Sequence, residues 1–295
     1  MASLVSGLIE PLGESAPLAW AEAPRLCPRD DVTDETCRWY HQVWQYLRLL
    51  GVISTVGTNS GFLAQTFRMY ARTGAYRRVF IAGSADYAML ARLKDAYDSE
   101  RQPVDITVLD RCATSLLLNR WYADWAGFAI SAVRADALEF RVEPSVDLVC
   151  THNFLGRFDR VGRERLVQAW HASLRPGGVV VTSLRIRPGS RDTYVVYSDD
   201  QARTFAAKVA AAAHAYGGAL DVGADDLEAA AYEYAKRKKS FVITSNHEVT
   251  DVFERHGFDV VLADQGGGRA ERDRDRPASL AGTDTYRMRL IAVKR

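Results

Sequence analysis

Val79-Phe80-Ile81-Ala82-Gly83-Ser84-Ala85-Asp86-Tyr87 reads as a short apolar strand that breaks at a turn of small residues. A continuous apolar run bounded by such a turn is the pattern of a strand covered on both faces. Runs of the same kind recur downstream at Asp105-Ile106-Thr107-Val108-Leu109, Ala129-Ile130-Ser131-Ala132-Val133, Val146-Asp147-Leu148-Val149-Cys150 and Val179-Val180-Val181-Thr182, with segments of helical length between them. Strands alternating with helices imply βαβ units and a parallel sheet. The predicted fold class is α/β, with a doubly wound, mostly parallel sheet.

Upstream of this stretch the pattern is helical. Residues 1–30 read as loop. Thr33 or Asp34 can then cap a helix whose apolar positions Trp39, Val43, Trp44, Leu47 and Leu50 recur at helical spacing before Gly51. A second helix fits Gly61 to Thr73, so residues 1–76 are expected to form an N-terminal helical extension. Downstream, between Pro188 and Ser240, the strand pattern stops. Two helices fit there, opened by Ser198-x-x-Gln201 and Asp225-x-x-Glu228, which predicts a helical cap inserted after strand five at about 190–240. A third capping box, Ser245-x-x-Glu248, opens a helix ending at Gly257. Strands Asp259 to Ala263 and Tyr286 to Val293 complete a seven-stranded sheet within a domain over 77–295, and Gln265 to Asp284 reads as a loop.

Composition narrows the function classes. With 47% apolar residues, the chain can bury a large core. Thirty-eight basic residues against 37 acidic ones give a net charge of +1, which provides no field to gather nucleic acid or an anionic membrane. A small-molecule substrate is expected, with no nucleic-acid or membrane partner; the sequence admits a homodimer. Neither a secretory signal pattern nor a membrane span is visible, which predicts a cytoplasmic chain. Cys27, Cys37, Cys112 and Cys150 show no C-x-x-C spacing, and the six histidines form no metal-binding pair. No metal is expected, and the cysteines read as reduced packing thiols. Lys236-Arg237-Lys238-Lys239 closes a helix whose first turn carries Asp225, Asp226 and Glu228, so it reads as complementing the helix dipole.

The turn Gly83-Ser84-Ala85 lets backbone approach a ligand at a helix N-terminus. It is not the dinucleotide G-x-G-x-x-G, and alone it equally fits an ordinary strand-to-helix turn. The next strand ends in Asp110, placed to accept the hydroxyls of an adenosine ribose. The third is followed by Ala135-Asp136-Ala137, a carboxylate suited to the exocyclic amine of an adenine. The fourth ends at Thr151-His152-Asn153-Phe154, and Leu174-Arg175-Pro176-Gly177-Gly178 leads into the fifth.

Together these residues resemble the class I S-adenosylmethionine-dependent methyltransferase family, which has a Rossmann-like sheet. The resemblance covers roughly 77–187 well and 241–295 loosely, the latter through its antiparallel final strand. It implies S-adenosylmethionine as cofactor, with Gly83, Ser84, Ala85 and Tyr87 near its methionine part. Asp110 with Arg111 would then face its ribose, Asp136 with Ala137 its adenine, and Asn153 one of its polar groups. Leu174 to Gly178 matches the family's L-[RK]-P-G-G turn. The chain departs from the pattern at Ile81, where the family has an acid, and at Ala85 and Tyr87, where it has glycines.

Aromatic faces attract a sulfonium, and the candidates are Tyr87, Trp121, Tyr122, Tyr194 and Tyr197, with Trp121 and Tyr122 reading more readily as core. His152 is the candidate base and Asn153 a candidate orienting amide, with Tyr194 and Tyr197 on the acceptor side. The expected activity is methylation of a small, natural-product or amino-acid-like acceptor. One alternative is cyclisation or aminocarboxypropyl transfer that releases methylthioadenosine. Another is a non-catalytic methyltransferase-like partner protein.

Overall fold

The computed structural model describes residues 10–27, 36–53, 56–266 and 285–295. Five parallel strands form the body of the sheet: β1 (Arg78–Ala82), β2 (Asp105–Asp110), β3 (Ser131–Arg134), β4 (Val146–His152) and β5 (Leu174–Ile186). A two-stranded ribbon follows, β6 (Tyr194–Val195) with β7 (Ser240–Phe241). Then come β8 (Phe258–Gly266) and β9 (Tyr286–Lys294). The seven-stranded order is β3-β2-β1-β4-β5-β9-β8, with β9 antiparallel to both its neighbours. This is the doubly wound, mostly parallel architecture that the alternating runs predict, and the Rossmann-like sheet that the resemblance implies.

The strands are continuous apolar runs because helices cover both faces. On one face α3 (Ser60–Arg72), α4 (Ala88–Ser99) and α5 (Ala113–Trp125) pack, burying Phe67, Leu90, Leu93 and Leu116 against Ile81 and Val108. On the other, α6 (Arg160–Ser173) and α9 (Asn246–Arg255) bury Leu166, Trp170 and Phe253 against Phe80, Val149 and Leu290. The winding reverses between β1 and β4, and at such a switch point the carboxyl ends of the strands open a crevice.

A separate core roofs that crevice. It joins α1 (Leu12–Leu26), α2 (Arg38–Leu49), α7 (Asp199–His214) and α8 (Ala224–Arg237) through Ala16, Tyr46, Leu47, Phe205, Leu227 and Tyr234. The first 76 residues therefore part company: α1 and α2 join the cap helices, while α3 joins the sheet. Residues 1–9 and 28–30 lie outside the described residues; over Leu12–Leu26, helix α1 corrects the reading of residues 1–30 as loop. Pro17 and Pro24 sit inside it, and its buried stripe consists of Ser15 and the alanines at 16, 19 and 23. Both features hide a helix from a hydrophobic-periodicity reading.

The predicted caps fare unevenly. Ser198 and Gln201 form a full capping box. Ser245 accepts from the Glu248 amide, but the Glu248 carboxylate turns to Thr244 and Arg163 instead of closing the box. Helix α8 starts earlier than predicted, with Gly223 as its N-cap and Asp225 inside the first turn. The Thr33 or Asp34 cap, and the predicted loop beyond Gly266 through residue 284, lie outside the described residues. Among the described residues no helix is long and apolar enough to cross a membrane.

Candidate functional site

A cavity of about 810 Å³ fills the crevice, within the range of small-molecule pockets. Its floor is the turn after β1. Gly83 has φ +69°, in the left-handed region, and a Cβ built there would collide with the Phe154 ring. Glycine is required at this position on both counts.

Asp110, at the end of β2, accepts from the Ser84 amide at 3.0 Å and the Cys112 amide at 2.7 Å. Each carboxylate oxygen retains a further lone pair for a ligand hydroxyl. Burial raises the pKa of Asp110, opposed by the nearby His41 and by these two amide donors. After β3, Asp136 accepts from the Leu138 amide at 2.8 Å, and Arg111 approaches the same carboxylate at 3.7 Å. Gly83, Ser84, Ala85, Asp110, Arg111, Asp136 and Ala137 all line the cavity.

The middle of the cavity is aromatic. Tyr40 and Trp44 of α2 stack at 4.9 Å, and Tyr234 of α8 lies 5.6 Å from Tyr40. All three line the wall. Trp44 is held by Asp86, which accepts its indole N–H at 2.6 Å and an Arg48 N–H at 2.9 Å.

The far end is cationic. Arg185 on β5 and Arg287 on β9 are directly opposed in the antiparallel register, and both line the cavity with Arg157, Arg187 and Lys238. Burial, together with these four arginines, lowers the pKa of Lys238 to about 7. His152 and Asn153 sit between the two ends. His152 Nδ1 is 2.8 Å from the Ser183 hydroxyl, and burial, reinforced by Arg287, Arg92 and Arg185, holds its pKa well below the usual range. Asn153 has φ +54°, which asparagine tolerates, and its side-chain oxygen accepts from the Arg185 amide at 3.2 Å.

Four of the five aromatic candidates lie elsewhere. Tyr87 is fully buried and does not line the cavity. Its ring stacks on Tyr122 at 4.6 Å and its hydroxyl meets Ser15 of α1 at 2.9 Å, so it ties α4 to the N-terminal helices. Trp121 and Tyr122 pack around it in the core, as their alternative reading has it. Tyr194 is 44% exposed, with the Lys239 ammonium 3.7 Å over its ring, whereas Tyr197 does line the cavity.

The basic run 236–239 also divides. Lys236 and Arg237 close α8, but Lys238 turns into the cavity, which the dipole reading missed. Three of the cysteines read as packing thiols come together: Cys112 lies 3.6 Å from Cys27 and 3.5 Å from Cys37, sulfur to sulfur. The aromatic and cationic walls carried no motif. Trp44 was read only as one position of an apolar stripe.

No family model matches the sequence, and no curated protein matches it. Solved structures do match. The S-adenosylmethionine-dependent methyltransferase SibL, in its apo form, is 16% identical with a TM-score of 0.50, covering 87% of this chain and 58% of that one. This chain thus spans less than two thirds of its length. A candidate sarcosine dimethylglycine methyltransferase from Galdieria sulphuraria is 12% identical with a TM-score of 0.51, covering 95% of this chain and 98% of that one. The likeness is one of fold, the Rossmann-like fold of class I S-adenosylmethionine-dependent methyltransferases.

Proposed function

We propose that the chain is an S-adenosylmethionine-dependent transferase acting on a small molecule that carries a carboxylate or phosphate. One observation carries this: a single cavity runs from two adenosine-suited acids, Asp110 and Asp136, past an aromatic wall to a cluster of cations. When bound, the cofactor supplies an activated carbon on a sulfonium. Tyr40 and Trp44 offer that cation their ring faces, a contact worth about 0.5–2 kcal/mol. Arg185, Arg187 and Arg287 attract an anionic acceptor group and hold it in one orientation. Alignment supplies most of an in-line displacement, so these positioning contacts matter more than acid–base groups. Where the nucleophile carries a proton, Lys238 is the better base. Its pKa of about 7 matches neutral pH, whereas the depressed pKa of His152 makes it a weaker acceptor of protons.

A second reading keeps the cofactor and changes the bond broken. The cofactor's own amine would attack its γ-carbon and release methylthioadenosine. The environment of Lys238 is what supports it: burial first, and the surrounding arginines second, bring that amine to about 7, and the same surroundings would lower the pKa of a cofactor amine held there. Asp86 also already receives Trp44, Arg48 and the Ala88 amide.

Chromatography after incubation with S-adenosylmethionine, alone and then with cell extract, separates the two. S-adenosylhomocysteine formed only with an acceptor supports transfer of the methyl group. Methylthioadenosine from cofactor alone supports the second reading. Calorimetry that finds no cofactor binding would sink both and leave a non-catalytic partner protein.

A further inference from the structure

Cys27 caps the end of α1, Cys37 the start of α2 and Cys112 the start of α5. Three separate segments thus deliver three sulfurs to one point, all within 4.8 Å of one another. The two closest separations, 3.5 Å and 3.6 Å, are far too long for a disulfide, whose sulfurs lie about 2.05 Å apart. They approach the edge of a tetrahedron of thiolates around zinc, about 3.8 Å for Zn–S bonds of about 2.3 Å. His41 stands one helical turn on from Cys37, on the same face of α2. It is 7% exposed, and its Nδ1 has no hydrogen-bond partner among the described residues. Thr114 places its hydroxyl 3.4 Å from Cys27 Sγ, the kind of outer contact that orients a metal-bound thiolate.

We propose that Cys27, Cys37 and Cys112 form a structural zinc site, and that His41, which lies outside the three-sulfur group as it stands, moves in as the fourth ligand when the ion binds. Three soft thiolates and an imidazole in closed tetrahedral array select zinc over hard, oxygen-seeking cations. The ligands bear no short sequence spacing because each thiolate comes from a different element. Such an ion would pin α1 and α2 to the turn that follows Asp110 at the end of β2, where the Asp110 carboxylate accepts the Cys112 amide. The site therefore couples the roof of the cavity to its ribose edge.

The first test is elemental analysis of the full chain purified without chelator. Stoichiometric zinc is expected in the wild type and in Cys150→Ala, with loss in Cys37→Ser and Cys112→Ser. Since those two variants can fail to fold, cobalt titration of the metal-stripped wild type provides an independent readout. Thiolate-to-cobalt charge transfer with tetrahedral ligand-field bands is expected, with bands altered in His41→Ala. Stripping the metal is also expected to weaken S-adenosylhomocysteine binding, and zinc to restore it. A wild type with neither bound zinc nor a cobalt spectrum overturns the site. So does mass spectrometry that finds Cys112 joined to Cys27 or Cys37 as a disulfide.

Discussion

Trp44 Nε1 donates to Asp86 Oδ2 at 2.6 Å, and the same oxygen receives Arg48 Nη1 at 2.9 Å. One carboxylate thereby fastens α2 to the turn after β1, while its other oxygen caps α4 through the Ala88 amide at 2.7 Å. The Arg48 and Asp86 side chains are 3% and 5% exposed, and Arg48 also pairs with Glu10. Removing one member of such a buried pair strands the other charge, at about 3–5 kcal/mol. Arg48→Met is therefore expected to lose stability on that scale in denaturant unfolding. Adding Asp86→Asn should lose less than the sum of the single changes. Strictly additive losses would mean that the two groups do not act as a pair.

Gly83 is constrained twice, and the two constraints can be separated. Gly83→Ala meets a left-handed backbone penalty of about 1–2 kcal/mol and, in addition, a clash with the Phe154 ring. In the Phe154→Ala background the clash disappears and only the backbone penalty remains. A double-mutant cycle by thermal unfolding should thus give a favourable coupling. Zero coupling would show that Phe154 moves aside without cost.

Asp110→Asn keeps the shape of the side chain but leaves one oxygen to serve two backbone amides and a ligand. Hydrogen bonds to charged groups are worth about 1.5–3 kcal/mol, so S-adenosylhomocysteine affinity should fall on the order of 10- to 100-fold. Calorimetry checks this, with circular dichroism confirming an unchanged fold. Wild-type affinity in this variant would remove Asp110 from the cofactor site.

The sheet was legible because strands covered on both faces must be apolar throughout, as Val179, Val180 and Val181 are. The edge bearing Asp110 and Asp136 was legible for a similar reason, since a residue at a strand's end is placed by the strand itself. Helix α1 was not, because its buried stripe has no large side chains. The cationic end was hidden by distance along the chain: Arg185 and Arg287 meet only through the β5–β9 pairing, and Lys238 joins them from the end of α8. Tyr87 was misplaced because the partner that claims its hydroxyl, Ser15, belongs to that unseen helix. The cysteine cluster needs the tertiary fold to exist at all.

Lys238 provides a prediction with a definite sign. Its folded pKa is lowered from 10.5 to about 7, first by burial and then by Arg185, Arg157, Arg187 and Arg287. Between about pH 7 and 10.5 the unfolded chain therefore holds the proton that the folded chain has released. Where the unfolded state binds more protons, stability rises with pH, so the contribution of Lys238 should rise across that window. Below pH 7 both states carry the charge and the burial penalty is fully felt. A base with this pKa also gives a rate that rises through about pH 7. Lys238→Met should flatten both the stability slope and the rising limb of kcat/KM, whereas Lys238→Arg should keep the charge, lose the base and remain slow at every pH. A rising limb that survives Lys238→Met unchanged would move the proton transfer to another group. His152 would be the first to examine, since at the end of β4 it already lies between Asp110 and the cations.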